Sequence, residues 1–169
     1  MPENRFVGEI ARTYDQGSSA EVVGPTVDCL VLLAECGPAL EFAIGAGRVA
    51  VPLVGRGIAV AGIDISADML AELRAKPEAA AITAIEGDMA ERPVDGEFSL
   101  VYLVFNTISN LTTQDEQVAC FESAAAISGA AAVLSSKTVS PISAASHPAT
   151  LLFRSPSATT ISGSTNTPT

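Results

Sequence analysis

The chain has 169 residues, nine Lys and Arg against nineteen Asp and Glu, a formal net charge of −10, and 48% apolar residues. That length can bury a core without disulfides or a metal, and acidity with few, scattered basic residues excludes a phosphate backbone as partner through a basic face. The charge is uneven: residues 1–123 hold seven basic residues and all nineteen acids, a net −12, whereas residues 124–169 hold one Lys, one Arg, no acid and seventeen Ser or Thr.

No apolar run approaches the ~20 residues that a membrane-spanning helix needs. The charged opening MPENRFVGEI is unlike a signal peptide, so a cytoplasmic location is expected. Cys29, Cys36 and Cys120 form no CxxC pair and read as structural. The single histidine, His147, lies in the acid-free tail, which excludes a Ser-His-Asp triad, a Cys-His pair or a His-built zinc site from the main body. No metal site is expected.

From Thr26 the pattern alternates helix and strand. Val27, Leu30, Val31 and Ala34 recur at helical spacing, and Gly37 is expected to supply a left-handed stop. PALEFAIGAG reads as a buried strand entering a glycine turn. RVAVPLVGRG follows as a helix that tolerates Pro52 only near its first turn. GIAVAGIDI is a second buried strand. SADMLAELRAK is a second crossover helix, capped by Ser66, with Asp68 in its first turn, Arg74 and Lys76 in its last, and Pro77 closing it. AAITAIEGDM and FSLVYLVFN supply a third and a fourth strand. Thr113 and Glu116 make a capping box, which starts a helix near residue 114. Four strands separated by helices imply an α/β fold with a mainly parallel, doubly wound sheet covered on both faces.

The chemistry lies in Glu41-Phe42-Ala43-Ile44-Gly45-Ala46-Gly47. Two glycines separated by one residue let the chain turn sharply at a strand end and let a ligand approach the backbone. Asp64, at the end of the second strand, is placed to accept both hydroxyls of a ribose. Gly45 to Ala50 also fit the GxGxxA form of the dinucleotide fingerprint, so a nicotinamide-dependent oxidoreductase is the alternative. Two acids argue against it. Glu41, just before the turn, would repel a pyrophosphate and attract an ammonium, and Asp88 is placed to accept from an adenine amino group.

ALEFAIGAGRVAVPL, GIDIS, EGDM and FSLVYLVFNTISNLTTQDEQ resemble, over roughly Tyr14 to Ala125, the class I S-adenosylmethionine-dependent methyltransferases. That family carries an acid followed by three glycines at alternate positions; Glu41, Gly45 and Gly47 match, and Ala43 replaces the first glycine. The resemblance implies a Rossmann-like fold and S-adenosylmethionine as cofactor. Glu41 and the turn at Ala43, Gly45 and Gly47 would face its methionine portion, Asp64 the ribose, and Asp88 with Met89 the adenine, with Ile65 a further cofactor-binding residue. Asn106 would lie beside the reactive methyl. Tyr14 matches an N-terminal aromatic that closes over the cofactor, or is a core or interface tyrosine. The implied reaction is methyl transfer to a small-molecule acceptor. No catalytic base is identified: Asp15, Asp88 and Asp115 are the available acids.

The expected organisation is a cofactor-closing segment over residues 1–25, a partial cofactor-binding core over 26–126, and a largely disordered Ser/Thr/Ala/Pro-rich tail over 127–169, with disorder from about Ser155. The family continues with a glycine turn and a fifth strand where this chain has ISGAAAVLSSKTVSPIS. Shifting the frame by one base from Ala126, with permissible codons, yields a peptide that has both, so the hypothesis is a frameshifted read-through from about Ile127. The sheet is then truncated after the fourth strand and its helix, or a non-catalytic product results. Its fourth strand keeps an open apolar edge unless Ala130 to Leu134 pair with it.

Overall fold

The computed structural model describes residues 6–14, 20–91, 94–135 and 150–154. Asp15, the stretch from Ser155 and residues 136–149 between the last two strands lie outside the described residues. In chain order the elements are α1 (Glu9–Thr13), α2 (Ala20–Ala34), β1 (Ala39–Phe42), α3 (Ala50–Gly55), β2 (Val60–Asp64), α4 (Ala67–Arg74), β3 (Thr83–Glu86), β4 (Phe98–Leu103), α5 (Gln114–Ile127), β5 (Ser128–Ser135) and β6 (Thr150–Arg154). Short 3-10 turns at Pro77–Ala81 and Thr107–Asn110 fill two connections.

The strands form one sheet in the order β3-β2-β1-β4-β5-β6. All neighbours are parallel except β5 with β6. The chain leaves β1 outward through β2 and β3, then returns to β4 on the other side. The β1/β4 boundary is therefore the topological switch point, where α/β sheets open a ligand crevice beyond their strand ends.

Alternation along the strands builds two apolar layers. On one face Ala39, Val60, Leu100 and Tyr102 pack with Leu30 of α2, Leu53 of α3, and Leu70 and Leu73 of α4. On the other, Leu40, Phe42, Ile63, Val101 and Leu103 pack with Cys120, Ala124 and Ile127 of α5. Helices thus cover both faces, as the alternating pattern predicts. Local signals act where expected: Ser66 Oγ accepts the Met69 N–H at 3.3 Å, and Thr113 and Glu116 exchange bonds of 3.1 and 3.2 Å across the α5 capping box. No helix among the described residues is long and apolar enough to cross a membrane.

Three features differ from the sequence reading. Helix α2 begins at Ala20 rather than Thr26 and carries Pro25 in its second turn, where one intrahelical bond is lost while buried Val23 joins the core. The left-handed turn after α2 is made by Glu35 and Cys36, with φ of 50° and 67°, and not by Gly37. Gly37 answers a different demand: a Cβ there would lie 2.3 Å from Ser99 Oγ. Most importantly, the sheet does not stop at the fourth strand. Residues 131–134 pair in parallel register with Leu100–Leu103, past a register shift near Phe98. Backbone pairing closes that edge in a run that has no strong strand signature.

Gly62, in the middle of β2, is a sensitive point of this packing: a Cβ there would lie 2.3 Å from Ile44 Cδ1 and 2.7 Å from Ile44 Cβ. Gly62→Ala is expected to cost ~1–3 kcal/mol through overpacking, seen as a lower urea midpoint at unchanged m value.

Candidate active site

The crevice beyond the strand ends is a cavity of about 350 Å³. Its floor is the turn after β1, where Ala43, Gly45 and Gly47 take φ of 54°, 56° and 80°. These alternate left-handed positions set the turn. Ala43 adopts the conformation a glycine would take more easily, so the path of the turn survives the departure from the three-glycine pattern. A Cβ on Gly45 would meet Met69 Cε at 2.9 Å, and one on Gly47 would meet Leu73 Cδ1 at 2.3 Å. The turn therefore packs directly on α4.

Asp64 fixes this arrangement. One carboxylate oxygen accepts the Gly45 N–H at 2.8 Å and the other accepts the Ser66 N–H at 2.8 Å. These bonds favour the ionised form, but burial outweighs them and holds the carboxyl above the usual range. The Gly45 amide, which a dinucleotide fingerprint would turn toward a pyrophosphate, is already committed to a carboxylate.

Glu41 is buried, and its Oε2 accepts the Tyr102 hydroxyl at 2.9 Å. Burial pushes it up to about 8; Asp64 adds to the rise, while the Tyr102 bond, Arg48 and the Ala50 amide oppose it. Tyr102 is raised well above its ordinary value by burial and by Glu41. Asp88, also buried, accepts the Ala90 N–H at 2.9 Å. Nearby Cys120 is pushed up to about 12, first by burial and then by Asp88, which makes it an unreactive thiol.

An N-terminal strap closes one side. Ser66 Oγ donates to the Phe6 carbonyl, and the Gly8 N–H donates to Asp68 at 2.6 Å, so the strap is tied to the start of α4. Phe6 and Tyr14 meet edge to face at 5.2 Å. The Arg48 guanidinium lies 4.6 Å from the Tyr14 ring centre and 5.2 Å from that of Phe105. It bridges the strap and the loop after β4.

Of the ten residues singled out in the sequence, Tyr14, Glu41, Ala43, Gly45, Asp64, Ile65, Asp88 and Met89 line this one cavity. Gly47 and Asn106 do not. Gly47 shapes the turn from behind, and Asn106 is exposed, with left-handed φ and its amide donating to Ser109 Oγ at 2.9 Å. Asp115 is exposed at the start of α5. Sequence reasoning missed Phe6, Arg48, Tyr102 and Phe105. Only Arg48, a cation next to the glycine turn, carries a local signal.

An acid held above its ordinary value supports folding at low pH and loses that support as the pH climbs through its folded value. Glu41, moved from 4.5 to about 8, works over that window, and Asp64 adds in the same direction. The urea midpoint is expected to fall as the pH rises from about 5 to about 8.5, and Glu41→Gln to remove most of that fall.

A methyltransferase domain family matches residues 39–128, more than half of the chain, and the match ends close to the change in composition. The CcbJ methyltransferase from Streptomyces caelestis is 32% identical, superimposes with a TM-score of 0.63, and is matched over 74% of this chain and 54% of its own. YqeM of Bacillus subtilis is 31% identical over 93 residues, 54% of this chain and 38% of its own. Magnesium protoporphyrin IX methyltransferase ChlM from Synechocystis PCC 6803, solved with bound SAM, shares the fold at 21% identity and a TM-score of 0.57 over 73% of this chain and 66% of its own. The chain thus spans between about two fifths and two thirds of the lengths of these relatives. With the domain model matched over more than half of its length, the chain belongs to the methyltransferase domain family.

Proposed function

We propose that residues 26–126 are the cofactor-binding part of an S-adenosylmethionine-dependent methyltransferase acting on a small-molecule acceptor in the cytoplasm, with the N-terminal segment closing over the cofactor. The observation that carries this reading is the convergence of Glu41, Asp64 and Asp88, from three successive strand ends, on one cavity floored by the glycine turn. Asp64 uses one bond on each oxygen for the backbone and keeps lone pairs for a ribose diol. Glu41 suits a cationic amino group, which draws the proton from a carboxyl held at about 8. Asp88 and Met89 offer an acceptor and an apolar surface to an adenine.

S-adenosylmethionine supplies an already activated methyl on a sulfonium. What remains for the protein is binding, orientation and exclusion of water. Arg48, Tyr14 and Phe105 close the cavity on the strap side, and Thr107, Ser109 and Thr112 give its far wall a polar character. Asp64 disfavours a nicotinamide dinucleotide, because its carboxyl already occupies the Gly45 amide that a pyrophosphate would need.

Calorimetry with S-adenosylhomocysteine and with NAD separates the readings. S-adenosylhomocysteine is expected to bind with release of part of a proton near neutral pH, seen as a buffer-dependent enthalpy, and NAD not to bind. NAD binding without S-adenosylhomocysteine binding would overturn the proposal, and a chain that binds neither is a non-catalytic product. Asp64→Asn is expected to weaken S-adenosylhomocysteine by roughly tenfold to a hundredfold, because the amide meets two N–H donors and loses the charge.

A further inference from the structure

We infer that Tyr102 is a positioning residue that makes the cavity selective for ligands carrying an ammonium group beside their nucleoside, by holding the carboxyl of Glu41 toward that group. The inference rests on the cofactor reading above and assigns a role to a residue outside the cavity lining. The parallel register places Glu41 of β1 directly beside Tyr102 of β4, so the two side chains share one face of adjacent strands. Tyr102 is completely buried among leucines and valines, where a phenylalanine would fill the same space. Its hydroxyl, 2.9 Å from Glu41 Oε2, has Glu41 as its partner. A buried hydroxyl without one would be a cost to the core.

The groups facing Glu41 come from every element around it. Tyr102 stands on β4, Asp64 at the end of β2, Arg48 after the turn, and the Ala50 amide at the start of α3. Asp64 and burial oppose ionisation; Tyr102 is the largest of the groups that favour it. Without the hydroxyl the carboxyl keeps its proton to higher pH and is released from its orientation. A neutral, reoriented carboxyl attracts an ammonium far less, while the nucleoside end of the ligand, held by Asp64 and Asp88, is untouched.

The test compares S-adenosylhomocysteine, which has the ammonium, with 5′-methylthioadenosine, which has the nucleoside alone, using the full chain. In the wild type the affinity for S-adenosylhomocysteine is expected to rise from about pH 6 to about pH 8 as Glu41 ionises, and that for methylthioadenosine to stay level. Tyr102→Phe should weaken S-adenosylhomocysteine roughly tenfold near neutral pH and move its pH midpoint upward, leaving methylthioadenosine unchanged. In a Glu41→Gln chain the same substitution should have no further effect. Equal losses for both ligands, or no loss for either, would mean that Tyr102 only packs the core. A wild-type affinity for S-adenosylhomocysteine that is flat with pH sinks the inference without any variant. If the wild type binds neither ligand, the cofactor reading itself fails, and this role fails with it.

Discussion

The two bonds from the Asp64 carboxylate to the Gly45 and Ser66 amides are the point on which the rest of the site depends. They join the end of β2 to the turn after β1 and to the first residue before α4. From Ser66 the connection continues in two directions. Its hydroxyl caps α4 through Met69 and reaches the Phe6 carbonyl, so one side chain orients a helix and anchors the strap. Lys76, at the other end of α4, returns to the Ala46 carbonyl at 2.6 Å. The turn is thus held from both ends of one helix.

This framework explains how an acidic cavity is tolerated. Glu41, Asp64 and Asp88 are all buried; burial holds the carboxyls of Glu41 and Asp64 above their ordinary range, and Asp64 adds to the rise at Glu41. Asp64 is supported by two amides, whereas Glu41 relies mainly on a neutral hydroxyl and is pushed up to about 8. Of these two acids, Glu41 has the more to gain from a cation. Arg48, drawn toward two aromatic rings, contributes to closing the cavity as well as to its charge balance.

Much of the fold was legible in the sequence because period and punctuation agree there. The four strands, the helices at residues 50–55, 67–74 and 114–127, and the caps at Ser66 and Thr113 follow from local patterns. So did the strand-end acids, since strand ends are where a parallel sheet presents side chains to a ligand. What could not be read was set by neighbours distant in sequence. Tyr102 gains its meaning from a register between strands 61 residues apart, and Phe6 from a bond to Ser66 60 residues away. The start of α2 was hidden by Gly24 and Pro25, which read as breakers until tertiary packing overrides them. Strand β5 was only a conditional reading, the pairing of Ala130 to Leu134 with an open edge, because glycine and alanine carry little strand preference while the edge of β4 supplies the reason to pair.

Ala43 has a consequence of its own. A left-handed alanine costs ~1–2 kcal/mol relative to its preferred conformations. The same methyl group removes conformers from the unfolded chain and so returns ~0.4–1 kcal/mol of entropy that a glycine would lose on folding. The entropy recovers only part of that cost, so the alanine is net unfavourable at this position. It also acts on stiffness. Where a three-glycine turn can flex at each alternate position, this one has a hinge removed at the residue nearest β1, and the backbone floor of the cavity is preset before any ligand arrives.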